Sequence, residues 1–197
     1  MNKISVVIPT IGESFLKNTI EKLLCGSLIP DEIIVVIPKN FYHKINNINF
    51  HKCVKILVHE HASQVSQRIF GFKNAINELI LQLDADIILD KHCLNELVLA
   101  LNNKKLICVS PKYSTDLNYN VSFFKIFFLN YFIKRERSMK FWDTWFHRHY
   151  EEYDNKLLIT KWLPGGCILH RKKNLILENY YEYKGKAFDE DLIHSFK

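Results

Sequence analysis

The sequence predicts an α/β protein built on a doubly wound, mostly parallel sheet with helices on both faces. Short β-branched runs alternate with segments of helical spacing over residues 1–110, and this alternation is typical of parallel βαβ units. Two of the runs, residues 4–8 and 33–37, are apolar throughout and stop at prolines. Such uninterrupted apolar runs are expected for strands that a sheet buries on both faces.

The other elements follow from hydrophobic periodicity. Further strands are predicted over residues 54–58, 106–109 and 167–169, together with one that starts at Leu79. Helices are predicted over residues 14–24, 63–78, 90–101 and 172–179. Ser63 and Asp90 are expected to cap the second and third helices, because their side-chain oxygens can accept backbone N–H groups. On the second helix, one buried apolar stripe is expected to run from Val65 through Ile76.

Composition bounds the class of protein. A chain of 197 residues is long enough for one sizeable domain and short for two. The net charge of +6 and the pI near 9.0 favour anionic partners, which include nucleotides, nucleic acid and acidic membrane surfaces. The five cysteines are scattered without a CxxC pair, which predicts reduced thiols in a cytoplasm and no zinc knot. We expect neither a secretory signal nor a membrane-spanning helix.

The strand that starts at Leu79 leads into two acids, Asp84 and Asp86. If both lie on that strand, their side chains face the same side, roughly 6–7 Å apart. Two close carboxylates repel each other unless a cation compensates, and hard divalent ions such as Mg²⁺ prefer such oxygen ligands. The pair therefore predicts a metal site at the carboxyl end of a strand, where open α/β sheets bind ligands. The alternative is a solvated turn before the next helix.

Four short motifs carry a resemblance to a known family. Pro9-Thr10-Ile11-Gly12-Glu13 resembles a Pro-x-Tyr-Asn-Glu motif at its proline and glutamate. Gln67-Arg68-Ile69-Phe70-Gly71 resembles Arg-Asn-x-Gly, with Ile69 where asparagine is usual. Asp84-Ala85-Asp86 matches a DxD motif, and Glu190-Asp191 matches an ED motif. In their order and spacing, these motifs resemble family 2 glycosyltransferases of the GT-A fold over essentially the whole chain.

The sequence departs from the family pattern at two further places. The second strand usually ends in acids that help to hold the nucleotide, whereas here it ends in Pro38-Lys39-Asn40. Ile193 occupies a position where many relatives have another acid.

The resemblance implies an inverting glycosyltransferase with one GT-A domain over residues 1–197. Residues 1–110 would bind the donor, a nucleoside-diphosphate sugar with a UDP-sugar as the first expectation. Residues 111–197 would bind the acceptor, a glycan or a lipid-linked glycan. Asp86, with Asp84, would hold Mn²⁺ or Mg²⁺ against the diphosphate. Asp191 would be the catalytic base that accepts the proton of the acceptor hydroxyl, and Glu190 is the second choice.

The resemblance also implies a set of binding residues. Those for the nucleotide sugar are Pro9, Thr10, Glu13, Arg68 and Asp84, and those for the acceptor are Trp162, Gly165 and Gly166. Each has a structural alternative. The first three can be a plain strand end and helix start, and Arg68 can be a solvated helix residue or the partner of an acid in the DxD motif. The two glycines can form an ordinary tight turn, and Trp162 can belong to the core or its rim.

Residues 121–148 are rich in aromatic and basic side chains. One interpretation is a segment that packs over the sheet and binds the acceptor. The other is an interfacial patch that holds a cytoplasmic protein on the inner face of the membrane, since aromatic rings enter lipid and basic groups meet anionic headgroups. The sequence stops one turn into a predicted helix, so we expect that C-terminal sequence has been removed.

Three other functions compete with this hypothesis. An inactive or truncated module that binds a nucleotide or a glycan is the first alternative. A sugar-phosphate nucleotidyltransferase would need a glycine-rich, basic loop after the first strand, and residues 9–15 contain one glycine and no base. A nucleic-acid partner is not expected, because the basic residues form no recognised motif.

Overall fold

A computed structural model describes residues 3–104, 106–112, 163 and 165–177 of the chain. The chain divides into two compact units, residues 1–111 with 160–197 and residues 112–159. Apart from Lys112, the described residues all belong to the first unit. The assignment of donor and acceptor parts to the chain stays a prediction.

Six strands of this unit form one sheet. They are β1 (Ile4–Pro9), β2 (Glu32–Pro38), β3 (Val54–His59), β4 (Leu79–Leu83), β5 (Cys108–Val109) and β6 (Cys167–Arg171). The spatial order is β3-β2-β1-β4-β6-β5. Strands β3, β2, β1 and β4 are parallel neighbours, whereas β6 runs antiparallel to both β4 and β5. The mostly parallel sheet is thus confirmed.

The position of β5 corrects a simpler expectation. The strand predicted at residues 106–109 was expected to belong to the parallel sheet of residues 1–110. Instead, β5 comprises only Cys108–Val109, and β6 lies between it and β4. Hydrophobic runs identify strands but do not order them, so a late strand that inserts into the sheet leaves no local signal.

Among the described residues, three helices accompany the sheet, α1 (Leu16–Leu24), α2 (Gln64–Asn74) and α3 (Cys93–Lys104), with 3₁₀ turns at Lys39–Lys44 and Lys172–Asn174. Ser63 caps α2, as predicted, by accepting from the Ser66 N–H. The first and third helices begin later than predicted, and the turn at Lys172–Asn174 is shorter than the helix expected over residues 172–179.

Helix α2 also ends earlier than predicted. Ala75 is extended, with φ −65° and ψ 132°, and Ile76 is 72% exposed instead of lying in the buried stripe. The reason is that other acceptors take the backbone donors of this segment. The Ile76 N–H donates to the Glu32 carboxylate, and the Asn77 N–H donates to Ser5 Oγ. Residues 75–78 therefore connect α2 to β4.

The two faces of the sheet are covered by different helices. Helix α2 packs on one face, where the buried cluster consists of Val7, Ile34, Val36, Val65, Phe72, Ala75 and Ile80. Right-handed β1-α1-β2 and β3-α2-β4 connections run in opposite directions along the strand order, which places α1 on the other face. Side chains of that face, such as Val6, Ile33 and Leu81, are also fully buried. The predicted doubly wound architecture is confirmed.

Candidate active site

A small cleft opens at the carboxyl ends of the parallel strands. Its volume is about 140 Å³, and it is lined by Pro9, Glu13, Phe15, Gln64, Asp84, Ala85 and Asp86. Open α/β sheets bind their ligands at this edge. The structure thus brings together Pro9, Glu13, Asp84 and Asp86, four residues that the sequence nominates from separate segments.

The two aspartates lie on a turn and not on a strand. Strand β4 ends at Leu83, and the Ile87 N–H donates to the Asp84 carbonyl at 3.2 Å. The expected strand geometry is therefore wrong, although both carboxyl groups line one cleft. Thr19 of α1 donates a buried hydrogen bond to the Ala85 carbonyl at 2.6 Å. This bond anchors the turn to the helix on the other side of the cleft.

Asp84 is held by two side chains of α2. Arg68 Nη2 lies 2.5 Å from Asp84 Oδ1, and Gln64 Nε2 donates to the same oxygen at 3.1 Å. The Arg68 side chain is 2% exposed and that of Asp84 is 23% exposed. The interpretation of Arg68 as a solvated residue is therefore wrong, and it pairs with the first acid of the DxD motif. A charge buried this deeply requires such a partner.

Asp86 differs from Asp84 in its surroundings. Its side chain is exposed in the cleft. Among the residues that the structure describes, none donates a hydrogen bond to its carboxylate or forms an ion pair with it. Asp86 is thus a carboxylate that can meet a ligand without first losing a protein partner.

The loop between β1 and α1 forms a second wall of the cleft. Glu13 accepts from the Thr10 hydroxyl and, at 3.1 Å, from the Ile11 N–H. The Gly12 N–H donates to Thr10 Oγ1 at 2.9 Å, and Gly12 has φ +78°, a conformation that side chains rarely adopt. Thr10 is almost fully buried. Thr10 and Glu13 therefore fix the shape of this loop.

Gln67 is a site residue that sequence reasoning did not single out. Its buried side-chain amide donates to the Thr10 carbonyl at 2.9 Å and to the Val36 carbonyl at 2.7 Å. It thereby ties the ends of β1 and β2 together beneath the cleft. The available signal was its spacing, since Gln67 lies four residues before Gly71 and so shares a face of α2 with it.

The two predicted acceptor-site glycines form a turn attached to β4. The Gly166 carbonyl accepts from the Asp84 N–H at 2.8 Å, and the Gly165 carbonyl accepts from the side chain of Gln82. The next residue, Cys167, is fully buried, and this burial, with Cys93 and Asp84 nearby, raises the pKa of its thiol far above the usual range. Cys167 is therefore an inert, protonated thiol behind the turn.

Three predicted site residues, Trp162, Glu190 and Asp191, lie outside the described residues, as does the stretch 121–148. Their roles stay predictions. Within the described part of the chain, no group of three or more His, Cys, Asp or Glu side chains is arranged to hold a metal ion. No helix in that part is long and apolar enough to cross a membrane.

The sheet and its cleft define a class: an α/β protein with a doubly wound sheet and a cleft at its carboxyl edge, where such sheets bind ligands. The model of one family, described as glycosyl transferase family 2, matches residues 5–172. The chain belongs to this family. No curated protein matches its sequence closely enough to count as a relative.

One solved structure supports this assignment at the level of the fold. The crystal structure of S. aureus TarS 1–349 superposes with a TM-score of 0.63 and 15% identity, covering 98% of this chain and 54% of that one. The chain thus spans about half the length of that fragment. The mannosyltransferase PcManGT from Pyrobaculum calidifontis, solved with GDP-Man and Mn²⁺, has a TM-score of 0.48 and 16% identity, over 55% of this chain and 35% of that one.

Proposed function

We propose that this protein is a glycosyltransferase that moves a sugar from a nucleoside diphosphate to a hydroxyl group of a glycan or a lipid-linked glycan, with inversion at the anomeric carbon. The proposal of a nucleotide-sugar donor rests on the cleft. There, Asp86 has no partner among the described residues, whereas Arg68 and Gln64 hold Asp84. Such a site sits where a doubly wound sheet binds nucleotides. A UDP-sugar is the donor to test first, in keeping with the family resemblance.

The side chains present fit a divalent cation. Asp84 and Asp86 bring two carboxyl groups to one small cleft, and Asp86 has no partner among the described residues. Two protein carboxylates combined with substrate phosphates form a usual ligand set for Mg²⁺ and Mn²⁺. Asp86, with Asp84, would hold the ion, which when bound neutralises charge that builds on the leaving diphosphate.

The protein's own groups supply the remaining chemistry. Arg68 and Gln64 orient Asp84, and Thr19 holds the turn on which Asp86 lies. Pro9, Thr10 and Glu13 shape the donor wall, and the Gly165-Gly166 turn offers its backbone on the acceptor side. Asp191, or Glu190 in second place, accepts the proton of the attacking hydroxyl. Direct attack on the anomeric carbon expels the nucleoside diphosphate and inverts the configuration.

Two further parts of the proposal concern the acceptor. Trp162 contributes a stacking surface for the acceptor sugar. Residues 121–148 bring a cytoplasmic enzyme to the inner face of the membrane, where their basic and aromatic side chains contact anionic lipid.

The first experiment is a thermal-shift panel with UDP, GDP, CDP and dTDP, each with and without Mn²⁺. We expect one nucleotide to raise the Tm only when the metal is present, because a ligand that binds the native state stabilises it by mass action. A free nucleotide concentration of about 100 Kd gives about 2.7 kcal/mol of stabilisation.

Two variants make this panel specific. Asp86→Asn should abolish the metal-dependent shift, because the amide is a much weaker cation ligand. Asp90→Asn removes an exposed carboxylate outside the cleft and should leave the shift intact. If the folded wild-type protein responds to no nucleotide, the proposed donor site is wrong and the inactive module becomes the better hypothesis. Release of nucleoside diphosphate from the matching donor sugar, lost in Asp191→Asn, tests the catalytic base.

A further inference from the structure

The most exposed large apolar side chains of the described residues all lie at one end of the sheet. Each described connection from an α-helix into a strand carries an isoleucine that is more than half exposed, and so does the segment that follows β6. These residues are Ile29, Ile76, Ile107 and Ile176. Because β6 runs antiparallel to β4, it ends where the parallel strands begin. All four isoleucines therefore lie near the amino ends of the parallel strands, at the end of the sheet opposite the cleft.

The segments at this end of the sheet are also basic. We name the surface that they form the amino edge; it comprises Lys3, Lys52 and residues 25–31, 75–78, 106–107 and 171–177. Its exposed lysines are Lys3, Lys52, Lys172 and Lys173, and its exposed acids are Asp31 and Glu78. The Asp31 carboxylate already accepts a hydrogen bond from the Ile4 N–H at 2.9 Å. The amino edge thus combines an excess of positive charge with exposed aliphatic side chains.

A cavity of about 430 Å³ opens in the amino edge beside the start of β4. Its lining includes Ile76 and the charged residues Glu78, Arg171, Lys172 and Lys173. Two of the basic residues have structural roles, since Arg171 donates to the Leu101 carbonyl at 2.9 Å and Lys172 Nζ donates to the Ala75 carbonyl at 2.6 Å. Among the described residues, none forms a hydrogen bond or an ion pair with the Lys173 side chain. The cavity therefore offers an ammonium group beside an exposed isoleucine.

This combination of side chains favours a lipid surface over other partners. Protein interfaces are depleted in lysine and enriched in aromatic residues, methionine and arginine. A nucleic-acid backbone would contact the lysines but would leave the isoleucines unexplained. The isoleucine-bearing segments flank strands from β2 to β5, a distance of four strand spacings or roughly 20 Å, which suits an extended surface better than a small ligand. Aliphatic side chains that enter a bilayer, with lysines at its anionic headgroups, account for both features.

We infer that the amino edge binds the surface of a bilayer that contains anionic phospholipid. Ile76 and Ile107 enter the lipid, and Lys3 and Lys173 contact the headgroup phosphates. This inference does not rest on the proposed function, and it uses none of residues 121–148. The cleft lies at the opposite end of the sheet, so it stays open to water while the amino edge is bound.

Sedimentation with vesicles tests the inference on the whole chain. We expect the protein to bind vesicles of phosphatidylcholine and phosphatidylglycerol, and to be released as the salt concentration rises. Ile76→Ser and Ile107→Ser should each weaken this binding about tenfold, because each removes an aliphatic group from the lipid. Lys3→Gln and Lys173→Gln should each weaken it about fivefold. Since all four side chains replaced are exposed or lie at the chain surface, the variants should keep the wild-type Tm.

Matched controls come from the other end of the sheet. Ile88→Ser removes an isoleucine that is 51% exposed on the loop after β4. The double variant Lys17→Gln, Lys39→Gln lowers the net charge by as much as Lys3→Gln, Lys173→Gln does, at exposed lysines near the carboxyl ends of β1 and β2. Neither control should change vesicle binding by more than about twofold, because charges beyond a Debye length from the lipid are screened.

The other outcomes overturn the inference. A wild-type protein that does not bind the anionic vesicles has no such surface. Equal losses in the amino-edge variants and their controls would show a response to net charge alone. Binding that only substitutions of Lys134, Arg135 and Arg137 weaken would assign the lipid contact to residues 121–148. A wild-type dimer that Ile76→Ser dissociates, without any effect on vesicle binding, would make the amino edge an interface between two copies of the chain.

Discussion

At the scale of the residue, the pair between Arg68 and Asp84 sets apart two aspartates that look equivalent in the sequence. Both aspartates line the cleft, where Arg68 holds Asp84 and Asp86 stays exposed. One carboxylate is thereby positioned before any ligand binds, and the other can respond to the ligand. The two aspartates differ because the guanidinium group of Arg68 is buried, at the depth of Asp84.

The pair should be measurable as a coupling energy. We expect Arg68→Met to destabilise the protein by about 2–4 kcal/mol in urea unfolding, because it leaves the Asp84 carboxylate without its buried counter-charge. Gln64→Met removes a hydrogen bond to the same oxygen and should cost about 1 kcal/mol. A double-mutant cycle with Asp84→Asn should show coupling of at least about 1 kcal/mol. Additive effects of the two substitutions would contradict the assignment.

The spacing of buried residues along α2 predicts that Arg68 is buried, whereas the short motif that contains Arg68 does not. Val65, Arg68 and Phe72 are three and four residues apart, so Arg68 lies on the buried stripe of an amphipathic helix. Its burial could have been predicted from this spacing. Its partner could not, because Asp84 belongs to a turn whose position depends on how β4 and α2 pack. Asp86 and the carboxyl-edge location were predictable, since they depend only on a strand and the acids after it.

At the scale of the element, α2 lies close against β1 at Gly71. Gly71 faces the sheet, and a Cβ atom there would overlap Val7 Cγ1 and lie 3.2 Å from Val36 Cγ2. Helix α2 carries Gln64, Gln67 and Arg68. Gly71 lets α2 lie close to the sheet, and it therefore determines how near these three side chains lie to the cleft.

Gly71→Ala tests this contact. In an exposed helix the change would stabilise by about 1 kcal/mol, but here we expect a net loss of about 1–3 kcal/mol from overpacking against Val7. Thermal unfolding followed by circular dichroism measures the effect, and Lys73→Ala on the exposed side of the same helix is the control. Adding Val7→Ala to Gly71→Ala should recover part of the loss. A double variant less stable than Gly71→Ala alone would show that the contact is not limiting.

The ends of elements were harder to predict than their existence. The strands at residues 4–8, 33–37 and 54–58 appear within one residue of their predicted bounds, because a buried apolar run leaves few alternatives. The end of α2 was missed because Glu32 and Ser5, far away in sequence, accept hydrogen bonds from the N–H groups of Ile76 and Asn77. Local propensity carries no information about such distant acceptors.

At the scale of the whole molecule, one buried carboxylate joins several elements at the end of the sheet away from the cleft. Glu32 is 5% exposed and accepts from Ser5 Oγ at 2.6 Å, from Lys55 Nζ at 3.0 Å and from the Ile76 N–H at 3.2 Å. Burial by itself would raise the pKa of Glu32. The three hydrogen bonds and the charge of Lys55 outweigh burial and lower this pKa below its ordinary value.

Global stability should therefore depend on the charge of Glu32. Because its pKa is lower in the folded state, the stabilisation is present above the unfolded-state pKa and is lost as the pH falls through the folded-state pKa. We expect the urea midpoint to fall between about pH 6 and pH 3. Glu32→Gln should reduce this dependence, whereas Glu21→Gln, which breaks the surface pair with Lys17, should not. Identical pH profiles for wild type and Glu32→Gln would contradict this role.

The insertion of β6 between β4 and β5 has a consequence for biosynthesis. Leu79, Leu81 and Leu83 of β4 are buried in the finished sheet, and β6 closes the edge of β4 with partners from Cys167 to Arg171. A ribosome adds about 5–20 residues per second, so β4 emerges on the order of ten seconds before its neighbour exists. During that interval the nascent chain displays an apolar, unpaired strand edge. The sheet therefore cannot be completed until β6 has been translated, which makes this interval the point of greatest need for a chaperone.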